Sequence, residues 1–314
     1  SPVFYFLQIW PEQKSDHQAV VFNIAQGASL TQVADELTAL GLTDSPVLFR
    51  LYASLSGSDR ELRAGTYEVP SRQNARELLA LFSSGKVQQH AIRLPEGMNL
   101  RVVSSLLAEQ AVLEHRSTGW QHLQDELDLE LPFAEGAFFP DTYFVSAGAS
   151  DLSVLQRAHK AMLAQLRSAW NARADNLAVQ TPAQALILAS IIEKESDAPQ
   201  DRRQISQVFH LRLKKNMKLQ TDPTVIYALG EAFDGDIRRR DLRVDSPFNT
   251  YRYKGLPPTP IALPSRASIE AAVNPADGDY LYFVARGDGT SQFSRTLEEH
   301  NAAVRRYQLS RGGP

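Results

Sequence analysis

An α+β fold, with a small mixed module first and a mainly helical domain after it, is what this sequence predicts. Residues 18–95 alternate short strand patterns with capped helical ones, whereas long amphipathic segments dominate the second half, and short strand patterns such as Tyr280–Ala285 sit among them. A chain of 314 residues with 43% hydrophobic and 22% charged content can bury one large core or two smaller ones.

The first strand is read at Ala19-Val20-Val21-Phe22-Asn23-Ile24, with a turn at Gln26-Gly27. Ser29 with Gln32 three residues on makes a capping-box pattern, so a helix starts there, with Val33, Leu37 and Leu40 as its apolar stripe and Gly41 as its stop. Ser45-Pro46 opens a second helix through Leu55, because proline at the first helical position forfeits no hydrogen bond. Arg63–Val69 returns as a strand, Asn74–Ser84 as a helix, and a further strand leads to Leu94-Pro95-Glu96-Gly97. The result is a βααβ unit with an additional helix and strand, poor in candidates for chemistry.

A helix at Leu100–Gln110 and an acidic stretch from Asp125 to Glu135 lead into the second half. There Leu152–Arg173 carries Leu155, Ala158, Met162, Leu166 and Trp170 at near-helical spacing. Thr181-Pro182-Ala183-Gln184 combines an N-cap, a first-turn proline and a capping-box partner. The helix it opens is apolar on every face from Ala185 to Ile192 and then abruptly charged at Glu193-Lys194-Glu195-Ser196. A helix that is hydrophobic all round is buried.

Several function classes are disfavoured. Lys plus Arg number 33 against 36 Asp plus Glu, a net charge of -3 that offers no general attraction for nucleic acid or anionic lipid. With no cysteine there are no disulfides, thiolate nucleophiles or Cys-based zinc sites, and the seven histidines form no HExxH pattern. The apolar run Val3–Leu7 with Ile9-Trp10 is far short of a membrane span, so it reads either as a short strand or as the remnant beside a removed anchor. Arg238-Arg239-Arg240 with Arg243 forms either an anion-recognising patch or a solvated charged face.

Glu193 stands where the buried helix emerges, and lost solvation at such a position favours the neutral acid that protonating a glycosidic oxygen requires. Glu195 lies about 200° further round the helix, so only one of the two carboxylates faces a given cleft and the other is expected in solvent. Polar residues cluster at Glu135-Gly136 with Phe138-Phe139-Pro140-Asp141-Thr142-Tyr143, at Leu219–Thr224, and at Ser246-Pro247-Phe248-Asn249-Thr250-Tyr251. Turn chemistry explains part of this, with Asp222 before Pro223 reading as an N-cap; the remaining amides, hydroxyls and aromatics suit a sugar cleft.

The runs Ala189-Ser190-Ile191-Ile192-Glu193-Lys194-Glu195, Leu219-Gln220-Thr221-Asp222-Pro223-Thr224-Val225-Ile226-Tyr227, Asn249-Thr250-Tyr251, Gly255-Leu256-Pro257-Pro258 and Tyr280–Ala285 resemble, in order, the MltG (YceG-like) endolytic murein transglycosylases. Gly65-Thr66-Tyr67 and Glu96-Gly97 extend the resemblance into the first half. It implies a trimmed membrane-proximal segment at 1–17, a LysM-like module at 18–96, and a catalytic domain similar to soluble lytic transglycosylases at 97–314. It also implies a single anchor in the bacterial inner membrane, with this region facing the periplasm, and no cofactor or metal.

On that resemblance the catalytic glutamate falls on Glu193, and Glu195 carries no assigned role. Cleavage is between N-acetylmuramic acid and N-acetylglucosamine, with 1,6-anhydro ends as product and peptidoglycan glycan strands, and through them synthases, as partners. Gln220 and Asn249 become candidates for holding the glycan, with Tyr251 packing or donating nearby; loop-stabilising hydrogen bonds are the other reading of each. Glu135 and Asp141 either shape the cleft or cap a helix. Two positions depart from the family pattern: Ser291 stands where a histidine is usual, two residues before Phe293, and Thr259 where a glycine often follows Gly-Leu-Pro-Pro. A non-catalytic peptidoglycan-binding scaffold and a hydrolytic muramidase are the competing functions.

Overall fold

In a computed structural model the chain is described over residues 6, 9–25, 27–195 and 198–309, and the fold is α+β. Most of the apolar run before Ile9 lies outside the described residues, as do Gln26 of the first turn and Ser196 beyond the charged helix end. The chain divides into two compact units, residues 1–92 with 111–114 and 144–149, and residues 93–110, 115–143 and 150–314.

In the first unit, strand β1 (Val20–Ile24) is followed by α1 (Leu30–Ala39) and α2 (Pro46–Ser56), then β2 (Gly65–Val69), α3 (Ala75–Ser84) and β3 (Gln89–Arg93). β1 and β2 are antiparallel, with Val20 opposite Val69 and Ile24 opposite Gly65. The helices begin where local chemistry places them. Ser29 and Asn74 both form complete capping boxes, with Gln32 and Glu77 respectively, and Ser45 caps α2 ahead of Pro46. Leu40, expected in the apolar stripe of α1, is instead 50% exposed, because the helix ends at Ala39 and the stripe stops at Leu37.

Alternation along β1 and β2 turns Phe22, Ile24, Tyr67 and Val69 inward onto Leu37, Phe49 and Phe82. Tyr67 is fully buried yet satisfied, its hydroxyl lying 2.7 Å from the Arg63 carbonyl and 2.9 Å from that of Phe82. Trp10, from the segment expected to lie beside the membrane, is 7% exposed and meets Tyr52 edge-on at 6.3 Å.

Strand β4 (Leu113–Glu114) belongs to the first unit and pairs with β6 (Ala149–Ser150), while β3 pairs with β5 (Thr142–Ser146). The second unit holds α4 (Leu100–Ala108), α5 (Leu123–Glu126), α6 (Asp151–Asn171), α7 (Pro182–Glu195), α8 (Arg202–Lys214), α9 (Asp222–Leu229) and α10 (Arg266–Val273). A hairpin of β7 (Tyr282–Ala285) and β8 (Ser291–Ser294), with Phe283 opposite Phe293, precedes α11 (Leu297–Val304).

Helix α7 is the central element, packed by α6, α8, α9 and α10, and every residue from Ala185 to Ile192 is buried. Its one hydroxyl there is satisfied: Ser190 Oγ donates to Ile187 and accepts from the Ile261 amide. Thr181 Oγ1 accepts from the Gln184 amide, but the Gln184 side chain reaches back to the Gln180 N–H and so completes a wider loop than the expected capping box.

Gly136 has φ +73°, and a Cβ there would lie 2.4 Å from Pro260 Cβ. A Gly136→Ala variant is therefore expected to lose about 1–3 kcal/mol of stability through combined backbone strain and overpacking. Urea denaturation checks it, as a lowered midpoint at unchanged slope.

Candidate active site

The end of α7 delivers two carboxylates to opposite surroundings. Glu193 Oε2 accepts from both the amide (2.9 Å) and the hydroxyl (2.5 Å) of Ser265, the N-cap of α10, and its Oε1 lies 3.7 Å from Arg202 Nη2. Its side chain is 6% exposed. Glu195 Oε1 accepts from the Thr221 hydroxyl and lines a cleft of about 580 Å³ with Arg212, Gln220, Asp222, Tyr251 and Tyr282. The helical separation of the two glutamates is as expected, but neither is in solvent, and Gln220 and Tyr251 gather round Glu195 and not round Glu193.

Local chemistry explains how the loops are held there. Thr221 is the N-cap residue of α9, yet it makes no side-chain cap bond, because its hydroxyl is turned to Glu195. Asp222, expected at the cap, is the first helical residue instead, and its carboxylate accepts from the Tyr251 hydroxyl at 2.5 Å. Three buried threonines lock the two loops together: Thr221 N donates to Thr250 Oγ1 at 3.1 Å, and Thr224 and Thr250 share a hydroxyl bond of 2.8 Å. Gln220 has φ +53°, sparsely populated for a residue with a side chain, and its amide donates to the Thr250 carbonyl. Held strain of this kind concentrates at functional sites.

Asn249 has no free amide to offer a ligand. It is fully buried, Nδ2 donates to the carbonyls of Leu242 (3.1 Å) and Val244 (2.8 Å), and Oδ1 accepts from the Tyr251 amide at 3.0 Å. Of its two expected readings the geometry matches the loop-stabilising one, and through the last bond it positions Tyr251. Glu135 takes the helix-capping role, accepting from the Leu100 N–H at the start of α4 and from the Tyr227 hydroxyl at 2.9 Å. Asp141 takes the Thr142 amide. Arg238 and Arg240 engage neighbouring Asp234 and Asp241, both arginines being exposed, which fits the solvated charged face.

The electrostatics single out the enclosed carboxyls. Burial pushes Glu195 up to about 7; the nearby Asp222 charge acts in the same direction, against the Thr221 hydrogen bond and Arg212. Burial likewise lifts Glu135 to about 7, opposed by Tyr227 and the Leu100 amide. Tyr251 is raised by burial and by Asp222, so it stays a phenol that can donate. Arg212 builds the cleft wall, donating from Nε to the Leu281 carbonyl and from Nη1 to that of Leu219, both at 2.7 Å.

A carboxyl whose value is raised on folding contributes stability at low pH that is lost as pH climbs. Below its unfolded value near 4.5 both states are protonated, while between there and about 7 the folded state binds more protons, so stability falls with pH. The unfolding free energy is thus expected to drop from pH 5 to pH 8, and Glu195→Gln to remove part of that slope, by on the order of 1–3 kcal/mol. Chemical denaturation across this pH range reads it directly.

Arg212, Thr221 and Asp222 carry parts of the site that sequence reading left unassigned. The available signal was the crowding of hydroxyls and an acid at Thr221-Asp222, of which helix capping by Asp222 accounted for part and a sugar cleft for the rest. Helix geometry requires the two glutamates to serve different faces, but it does not say which face is the cleft.

The sequence pattern of the YceG-like family matches residues 22–306. The chain belongs to the YceG-like family. It is 32% identical to a Bacillus subtilis (strain 168) protein named endolytic murein transglycosylase, over 96% of this chain and 88% of that protein. An endolytic murein transglycosylase of Streptococcus pneumoniae (serotype 2, strain D39) is 26% identical over 96% of this chain, which spans 60% of the pneumococcal protein. The crystal structure of a putative yceG-like protein from Listeria monocytogenes superposes with a TM-score of 0.58 at 30% identity, covering 91% of this chain and 98% of that one. Among the described residues of this YceG-like chain, no helix is long and apolar enough to cross a membrane.

Proposed function

We propose that this YceG-like protein is an endolytic murein transglycosylase whose acid and base is Glu195, moving that role from Glu193 where the motif resemblance placed it. The observation that carries the assignment is the enclosure of Glu195 in the cleft that also holds Gln220 and Tyr251, with burial raising its carboxyl to about 7. A carboxylic acid still protonated near neutrality can donate to the oxygen linking N-acetylmuramic acid to N-acetylglucosamine.

As that bond breaks, oxocarbenium character develops at the muramic C1. The muramic C6 hydroxyl then adds to C1, its proton passing to the Glu195 carboxylate, and a 1,6-anhydro ring closes. The nucleophile is part of the substrate, so orientation replaces a second carboxylate in activating it. Gln220 and Tyr251 contact the sugars, Asn249 holds Tyr251 in place, and Glu193 braces α10 through Ser265.

A hydrolytic reading is favoured by one feature, the second carboxylate in the cleft, Asp222. Its engagement by the Tyr251 hydroxyl argues against its activating water. Mass analysis of digested, uncrosslinked glycan strands separates the cases. Transglycosylation gives anhydro ends; hydrolysis gives ends heavier by one water; a scaffold gives no cleavage.

The βααβ order of β1, α1, α2 and β2 supports a LysM-like module with a peptidoglycan-binding role. The relatives' cell-wall activity supports placement at the bacterial inner membrane, through an N-terminal anchor, with these units in the periplasm beside the synthases that make the strands.

A further inference from the structure

The second unit contains another hollow, of about 620 Å³, on the Glu193 side of α7. Its lining brings together three arginines, Arg202 and Arg203 from the first turn of α8 and Arg266 from the first residue of α10. The N-terminus of α10 is answered by Glu193 through Ser265, and the C-cap residues Ala172 and Asn274 also line the hollow, so its positive charge is that of the arginine side chains. The uncharged Gln165, Ser168 and Ala169 of α6 also line the hollow, as does the acidic Glu270.

The acidic residues nearby leave this concentration of positive charge incompletely answered. Arg266 Nε bonds Glu270 at 2.8 Å, Arg203 Nε bonds the Asn274 carbonyl at 2.9 Å, and Arg202 reaches Glu193 only at 3.7 Å. Arg202 Nε is buried without a hydrogen-bond partner, in a side chain only 15% exposed. A buried guanidinium N–H left unpaired is costly, and such a group points to a partner missing from the site. A guanidinium is also built to take a carboxylate through two parallel bonds.

We propose that this hollow is a carboxylate-binding site that holds a peptide stem of the murein strand, Arg203 and Arg266 gripping its free carboxylates and Arg202 backing them. The choice of ligand rests on the proposed murein substrate. The site then makes the enzyme a reader of strand decoration, separate from the sugar contacts around Glu195.

Calorimetric titration of the full chain with a muramoyl peptide bearing free carboxylates, and with the same peptide amidated at every carboxylate, tests this. The acid form is expected to bind about tenfold or more tightly than the amide, the loss of one charged pair. Arg203→Gln/Arg266→Gln is expected to bind both forms equally weakly while melting within a few degrees of the wild type; should the double variant not fold, Arg203→Gln alone is expected to lose most of the preference. Equal binding of the two forms by the wild type, no binding of either, a preference that survives the substitutions, or tighter binding of inorganic phosphate than of the acid peptide would each overturn the proposal. The readout is binding, so a failure here leaves the assignment of Glu195 standing, and an inactive enzyme leaves this test intact.

Discussion

Glu195→Gln is expected to reduce strand cleavage by about a thousandfold or more while leaving the protein folded. General acid and general base assistance each contribute about 10²–10⁴, and here one group supplies both in successive half-steps. Glutamine keeps the shape and can still meet the Thr221 hydroxyl, so the loops around the cleft lose little. It also removes a carboxyl that burial holds near 7, so the variant is expected to be more stable than the wild type at pH 8. Loss of activity with gain of alkaline stability is a signature that damage to the fold cannot produce. Single-turnover digestion of uncrosslinked strands, alongside denaturation at pH 8, measures both.

The second large effect is at Asn249. Asn249→Leu fills similar volume but leaves the carbonyls of Leu242 and Val244 and the Tyr251 amide without the partners they have now. These groups are half-buried, so each one stranded costs about 1 kcal/mol and a total loss of about 3 kcal/mol is expected. For a unit of this size that corresponds to a fall in melting temperature of about 6–12 °C. A residue whose task was to hold glycan would instead raise KM at unchanged stability. Thermal unfolding beside steady-state kinetics separates the two roles, and the stability loss is the expected result.

These two residues also mark where sequence reading stops. Capping is a local matter, so Ser29, Ser45 and Asn74 could be placed from neighbours three residues away, and the structure has their helices starting there. The burial of α7 was legible because Ser190 is the only polar residue between Ala185 and Ile192. Which of its terminal glutamates served the cleft was not, because that depends on what folds onto each face. Ser265 and Arg202 come to Glu193, and Thr221 comes to Glu195, from distant parts of the chain.

Asn249 was indistinguishable from an exposed amide in a turn until its burial was known. The cap was read at Asp222 and not at Thr221, because nothing in a linear motif says that the Thr221 hydroxyl is turned away from the helix it begins. Strands β4 and β6, two residues each, are too short for any periodicity to register, which hid the return of the chain to the first unit.

The most direct test sets Glu193→Gln against Glu195→Gln on the same uncrosslinked glycan strands, counting anhydro ends by mass. With Glu195 as the acid, the Glu193 variant still makes anhydro ends and the Glu195 variant makes essentially none. The reverse pattern, or equal activity in both, would contradict the assignment.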